Sequence, residues 1–115
     1  MGALETIRSE LLSWEGVSEH PHRFGGSEFR YGERELGHVH GDRFADLPFH
    51  RTIRDMLVET GRALPHHVLP DSRWVTKPIR DDADVAEAVE LFRLSYERAR
   101  LAEERGARAS GDPVP

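Results

Sequence analysis

Leu4, Ile7, Leu11 and Trp14 recur every three or four positions, the apolar stripe of an amphipathic helix running from Ala3 to Trp14 and ended by Gly16. Beyond His20 and Pro21 the period changes. From Phe24 to Tyr31 the chain passes two glycines and then alternates, Phe29 and Tyr31 on one face and Glu28 and Arg30 on the other, which predicts a strand. Gly32-Glu33-Arg34 supplies a short hairpin connection, and Glu35 to His40 returns antiparallel with Leu36, His38 and His40 on a common face until Gly41-Asp42 stops it. Asp46 followed by Leu47-Pro48 has the form of a helix start, an N-cap with proline in the first turn. Phe49, Ile53, Met56 and Leu57 carry the stripe on to a stop at Gly61. Pro65, Pro70 and the His66-His67 pair predict an ordered loop or an irregular edge, not a regular element, between Arg62 and Ser72. Trp74, Val75 and Thr76 favour a third strand, which ends at Pro78 or runs along a sheet edge. Asp81 or Asp82 caps a last helix whose buried stripe is Val85, Val89, Phe92 and Tyr96, through about Ala99.

The elements compose an α+β domain: a small antiparallel sheet covered on one face by helices, in the order α-β-β-α-β-α. Polar residues, the histidines among them, are expected on the uncovered face. With 115 residues there is room for one core, placed at 1–104. Residues 105–115 are small, charged and proline-terminated, too poor in apolar groups to offset the entropy of ordering, and are expected to form a disordered tail.

Composition narrows the chemistry. The chain has no cysteine, which removes disulfides, thiolate metal sites and thiol nucleophiles, so that any metal would be held by His, Asp or Glu. No apolar run is long enough to span a bilayer and the N-terminus is charged, so neither a membrane nor a secretory route is expected and the cytosol is the expected compartment. A formal charge of −5 disfavours nucleic acid as a partner unless the arginines segregate onto one face. The glycines of Phe24-Gly25-Gly26-Ser27 have neither the spacing nor the lysine of a phosphate loop, and no nucleophile elbow is present.

What remains is histidine. His38-Val39-His40 puts two imidazoles on one side of a strand, within reach of one ligand or metal ion. A third donor would come from His66, His67, Asp71 or Asp42, and three ligands with an open position make a catalytic kind of site. The competing reading is a set of hydrogen-bonded or surface histidines. His20 and His22 flank Pro21 on a predicted loop, where spacing fixes no geometry, and read as solvated surface. Trp74 either packs in the core or walls an aromatic pocket beside Pro70 and Asp71. The arginines Arg23, Arg30, Arg34, Arg43, Arg51 and Arg54 are scattered among acids.

Three segments together resemble the luciferase-like domain family, named for the fungal bioluminescence enzyme and including many short bacterial proteins. They are E-L-G-H-V-H-G-D at Glu35 to Asp42, D-L-P-F at Asp46 to Phe49 and H-H-V-L-P-D-S-R-W-V at His66 to Val75. The resemblance covers roughly Trp14 to Tyr96. It implies oxygen-dependent oxidation of an aromatic or pyrone-like small molecule without an organic cofactor, a divalent metal being left open. Carried onto this chain, it singles out His38, His40, Asp42, His66, His67, Asp71 and Trp74, without saying which is catalytic. Of these, His38, His40, His67 and Asp71 are the catalytic candidates, Trp74, His66 and Asp42, with Arg23, the ligand-binding ones, and His38, His40 and His67, from their spacing, the candidate metal ligands. A second, weaker likeness is to MmcQ/YjbR-like domains, through Glu15-Gly16-Val17, the hairpin, the Trp74-Val75 strand and the final helix. It implies a CyaY-like fold and a binding module without chemistry, for DNA or for another protein. A homodimer is compatible with either reading.

Overall fold

The structure, a computed structural model, describes residues 2–22 and 25–111. Nine elements follow one another: α1 (Ala3–Leu11), β1 (Val17–Pro21), β2 (Ser27–Tyr31), β3 (Arg34–His40), β4 (Phe44–Pro48), α2 (Arg51–Glu59), β5 (Leu64–Pro65), β6 (Trp74–Pro78) and α3 (Asp82–Gly111). The strands form one sheet in the order β1-β2-β3-β4-β6-β5, antiparallel at every junction. Ile7 and Leu11 of α1, Leu57 of α2 and Leu91, Phe92 and Tyr96 of α3 share one buried cluster with Phe29, Leu36, Val39, Ala45, Leu47 and Val75 of the sheet. All three helices therefore cover the same face, as the hydrophobic pattern required.

The expected helix start at Asp46 is overturned. Phe44–Pro48 is a central strand, and α2 begins three residues later with His50 as an N-cap that makes no side-chain capping bond. The sequence Asp-Leu-Pro satisfies two rules at once. As a strand it alternates Ala45 and Leu47 toward the helices with Asp46 toward the other side, and pairing with both β3 and β6 settles the choice. One further strand, β1, lies where a loop is expected; it has a single aliphatic residue, Val17, and is held by its ladder to β2. β5, only two residues long, is the irregular edge among the two alternatives for its stretch.

The facing of β3 also differs from simple alternation. Phe29 pairs with Gly37 and Arg30 with Glu35, so Leu36 is an extra residue, a β-bulge. The bulge turns Leu36 into the helix-covered core and leaves Glu35, His38 and His40 together on the open face. Gly37 sits at φ +154, and a Cβ there would lie 2.8 Å from the Asp46 carbonyl oxygen and 2.8 Å from Phe92 Cε1. Only glycine lets β3, β4 and α3 approach this closely.

Pro78 is the last residue of β6, and β5 covers that strand's outer side, so β6 lies inside the sheet. Asp81 caps α3 by accepting the Asp84 N–H at 2.9 Å, and α2 stops at Gly61, φ +75, as expected. α3 continues to Gly111, taking in 105–111 of the segment expected as a tail. The alanines and arginines of that segment favour the continuation, and residues 112–115 lie outside the described part. Among the described residues no helix is long and apolar enough to cross a membrane.

Candidate functional site

A single row of paired residues crosses all six strands. His20 faces Glu28, Glu28 faces His38, His38 faces Asp46, Asp46 faces Thr76 and Thr76 faces Leu64. Directly opposite residues share a face, so this row places acid, imidazole, acid and hydroxyl side by side on the surface that no helix covers. His40 lies two residues along β3 on the same face.

Asp46 is the centre. It is 1% exposed, although it lies on the open face, because imidazoles from two directions close over it. Its Oδ1 accepts the Thr76 hydroxyl at 2.7 Å. Around Oδ2 stand the Nε2 atoms of His67 at 3.1 Å, His38 at 3.2 Å, His66 at 3.4 Å and His40 at 3.6 Å. His38 Nδ1 is in turn 2.8 Å from Glu35 Oε2. His22 stacks on His38 with ring centroids 3.9 Å apart, and its Nδ1 lies 3.3 Å from Glu28 Oε1.

The second pair of histidines arrives from the segment between β5 and β6. The His67 backbone N–H donates to Thr76 Oγ1 at 3.2 Å, joining this segment to the hydroxyl that binds Asp46. His66 Nδ1 accepts the N–H groups of Val68 and Leu69 at 3.2 and 3.0 Å, so its ring closes the turn that follows it. From outside, Arg54 donates to the Pro70 carbonyl and Arg51 to that of Asp71, which pins the segment to α2.

Electrostatics follow from this packing. Burial raises the Asp46 carboxyl, but hydrogen bonds from His38, Thr76 and His67 outweigh it and bring the group down to about 2. Burial likewise lowers His38, yet its bonds to Asp46 and Glu35 prevail and lift it to about 9. His40 is lowered by burial and then by the neighbouring His38 charge, and His66 is lowered by burial against the opposing pull of Asp46. A carboxylate thus sits beside one cationic and two neutral-leaning imidazoles. Two compact donor groups, His22 with His38 and His40, and Asp46 with His66 and His67, each bring their ligand atoms within 4.8 Å of one another.

Over the cluster opens a cavity of about 750 Å³. Trp74, Val68 and Leu69 form its apolar side, while Arg30, His22, Glu28 and Glu35 form its polar one. Trp74 is a wall residue, its ring 5.2 Å from that of His38. Of the residues expected from sequence, His38, His40, His66, His67 and Trp74 are brought together here. Asp71 offers its carbonyl to Arg51 and does not line the cavity. Asp42 is on the other side of the molecule, where its carboxylate accepts the Leu4 N–H at 2.9 Å and caps α1. Arg23 lies outside the described residues. Asp46, His22, Glu28 and Glu35 were missed. Glu28 was legible as a strand residue on the face away from Phe29, whereas Glu35 reaches the histidines only through the Leu36 bulge and Asp46 was hidden by its resemblance to a helix cap. Of the described arginines, Arg30 pairs with Glu28, and Arg51 and Arg54 are engaged with the loop carbonyls.

The Luciferase domain family model matches residues 33–95, a span that contains β3, β4, the His66-His67 segment and most of the cluster. No curated protein and no solved structure matches the chain. Since the match takes in more than half of its length, the chain belongs to the Luciferase domain family.

Proposed function

We propose that the cavity on the open face of the sheet binds a planar, hydroxylated aromatic or pyrone-like molecule and that the domain oxidises it with dioxygen. One observation carries the reading: an indole wall and an apolar lip share a cavity with a floor of converged imidazoles. Its volume falls within the roughly 300–1,000 Å³ of ordinary small-molecule sites. Trp74 supplies a stacking face, Val68 and Leu69 cover the substrate's edge, and Arg30 offers a cation to an oxygen on its rim.

The chemistry uses the His22–Glu28 pair. With its Nδ1 proton donated to Glu28, His22 accepts the substrate's hydroxyl proton at Nε2. The resulting enolate transfers an electron pair to dioxygen as a carbon–oxygen bond forms, and the peroxide oxygen recovers the proton from His22. Substrate plus dioxygen becomes substrate hydroperoxide, with both oxygen atoms retained, so no separate reductant is consumed.

Titration with a series of hydroxylated arenes and 2-pyrones tests this, by quenching of Trp74 fluorescence in a Trp14→Phe background and by oxygen uptake. Saturable quenching with one dioxygen consumed per substrate is expected. If no compound in the series binds saturably, the reading fails. Binding without oxygen uptake would remove the oxidation and leave a binding module.

A further inference from the structure

The imidazoles around Asp46 outnumber what a single acceptor oxygen can use. Oδ1 is engaged by Thr76, and a carboxylate oxygen offers two lone-pair positions, which the hydrogen bonds at Oδ2 from His38 and His67 already fill. Two further Nε2 atoms, of His66 and His40, are nevertheless aimed at Oδ2 from 3.4 and 3.6 Å. Facing donors of this kind are what a cation draws together.

The partners of the distal ring nitrogens sort ligands from bystanders. His38 Nδ1–H donates to the Glu35 carboxylate at 2.8 Å, which holds the proton on Nδ1 and leaves Nε2 as the nitrogen that can exchange its proton for a metal ion. Such carboxylate–imidazole pairs stand behind metal-binding histidines generally. His66 is the reverse case. Its Nδ1 accepts two backbone N–H groups, so the neutral ring carries its proton on Nε2, where it can donate to Asp46 but cannot ligate.

We propose that Asp46, His38, His40 and His67 bind one divalent transition-metal ion at the cavity floor, with His66 outside the ligand set as a donor to Asp46. Three imidazoles and one carboxylate suit Zn(II), Fe(II), Mn(II) or Co(II) better than the all-oxygen preference of calcium or magnesium. Metal–nitrogen bonds of about 2.0–2.1 Å ask the donors to close on the ion by movements on the order of 1 Å. His67 can supply the largest of these, its side chain being 43% exposed on a segment outside the sheet ladder. The inference rests on reading this cavity as the functional site, but its test contains no substrate, so failure of the metal and failure of the oxidation are read separately.

Protein purified without a histidine tag and stripped with chelator is titrated with Co(II), followed by visible absorption and calorimetry, with Zn(II) as competitor. One ion per chain with a dissociation constant of about 1 μM or tighter is expected. His38→Ala, His40→Ala, His67→Ala and Asp46→Asn should each weaken binding by more than ~100-fold, and His66→Ala, which removes only a donor behind the ligand Asp46, by about 10-fold. His67→Ala is the decisive variant, since its exposed ring can be removed with an unchanged circular dichroism spectrum. Less than half an ion per chain at saturating Co(II), an unaltered affinity in His67→Ala, or a loss in His66→Ala equal to that in His38→Ala would each overturn the proposal.

Discussion

His38 and Asp46 face each other across the β3–β4 ladder, His38 Nε2 3.2 Å from Asp46 Oδ2, and each is the other's principal electrostatic partner on the open face. The pair lies on the one row that also contains Glu28 and Thr76. In the metal-free protein, Asp46→Ala deprives both Thr76 and His38 of their buried partner. Unfolding in urea should show a loss of roughly 3–5 kcal/mol, the ordinary penalty for leaving one member of a buried ionic group alone. Asp46→Asn keeps an oxygen for Thr76 and should lose less than half as much. Equal losses in the two variants would mean that charge plays no part.

Gly37→Ala should act on the same pair from the core side. The new Cβ meets the Asp46 carbonyl and the Phe92 ring, each at 2.8 Å, at a backbone φ of +154 that other residues rarely adopt. A destabilisation of at least about 2 kcal/mol is expected, combining backbone strain with overpacking. Because the contact is to β4 beside Asp46, cobalt affinity should fall as well. A variant as stable as its parent would show that the close approach of β3 to β4 is dispensable.

Much of this arrangement was legible in the chain. Helical stripes at Ile7–Leu11 and Phe92–Tyr96, the hairpin ending at His40 and the Trp74 strand all follow from periodicity, because each has one face committed to the core. His38 and His40 were found by their spacing, and His66, His67 and Trp74 by the motif they share. The losses have physical causes. Asp46-Leu47-Pro48 obeys the local grammar of a helix N-terminus, and only tertiary pairing on both sides makes it a strand. Alternation alone puts Leu36 beside His38, because a bulge leaves no mark in composition. His22 reads as loop surface because its position depends on β1, a strand held by backbone pairing with little side-chain signature.

The loop that delivers His66 and His67 is held by Arg51 and Arg54 through its own carbonyls, at Asp71 and Pro70. Arg54→Ala should free it. Faster amide exchange at residues 66–72 is expected with little change in melting temperature, together with a several-fold loss of small-molecule affinity. Ordering the segment would then cost binding about 0.5–1.5 kcal/mol per side chain immobilised. Unchanged exchange would show that the turn closed by His66 Nδ1 is sufficient alone.

Acid should loosen α1 through a single ion pair. The Arg8 guanidinium donates to Glu19 at 2.7 and 2.9 Å, and this pairing, against burial, holds the Glu19 carboxyl below its ordinary value. A carboxyl depressed in the folded state contributes stability above its unfolded value near 4.5, and that contribution is lost as pH falls through the folded value. Melts between pH 6 and pH 3 should fall less steeply in Glu19→Gln than in the parent. Parallel slopes would place the acid sensitivity elsewhere.

His22 gives the sharpest separation of binding from chemistry. It is outside the proposed ligand set and stacks on His38, with Glu28 orienting its ring, so removing it leaves the metal donors and the Trp74 wall in place. If it accepts the substrate's proton, His22→Ala should reduce kcat by roughly 10²–10⁴-fold, the usual worth of a positioned acid–base group. Cobalt affinity should stay within about 3-fold of the parent, and substrate affinity measured by quenching should fall far less than kcat, since His22 is one contact among those of the cavity lining. Glu28→Gln removes the charge that orients the imidazole but keeps the imidazole itself, and it should lie between parent and His22→Ala. A further signature belongs to proton transfer alone: the deficit in His22→Ala should shrink as the substrate's hydroxyl becomes more acidic, because a substrate that ionises unaided needs no base. A deficit independent of substrate acidity, or one matched by an equal loss of substrate affinity, would make His22 a packing residue of the cavity wall and move the proton to another group on the floor.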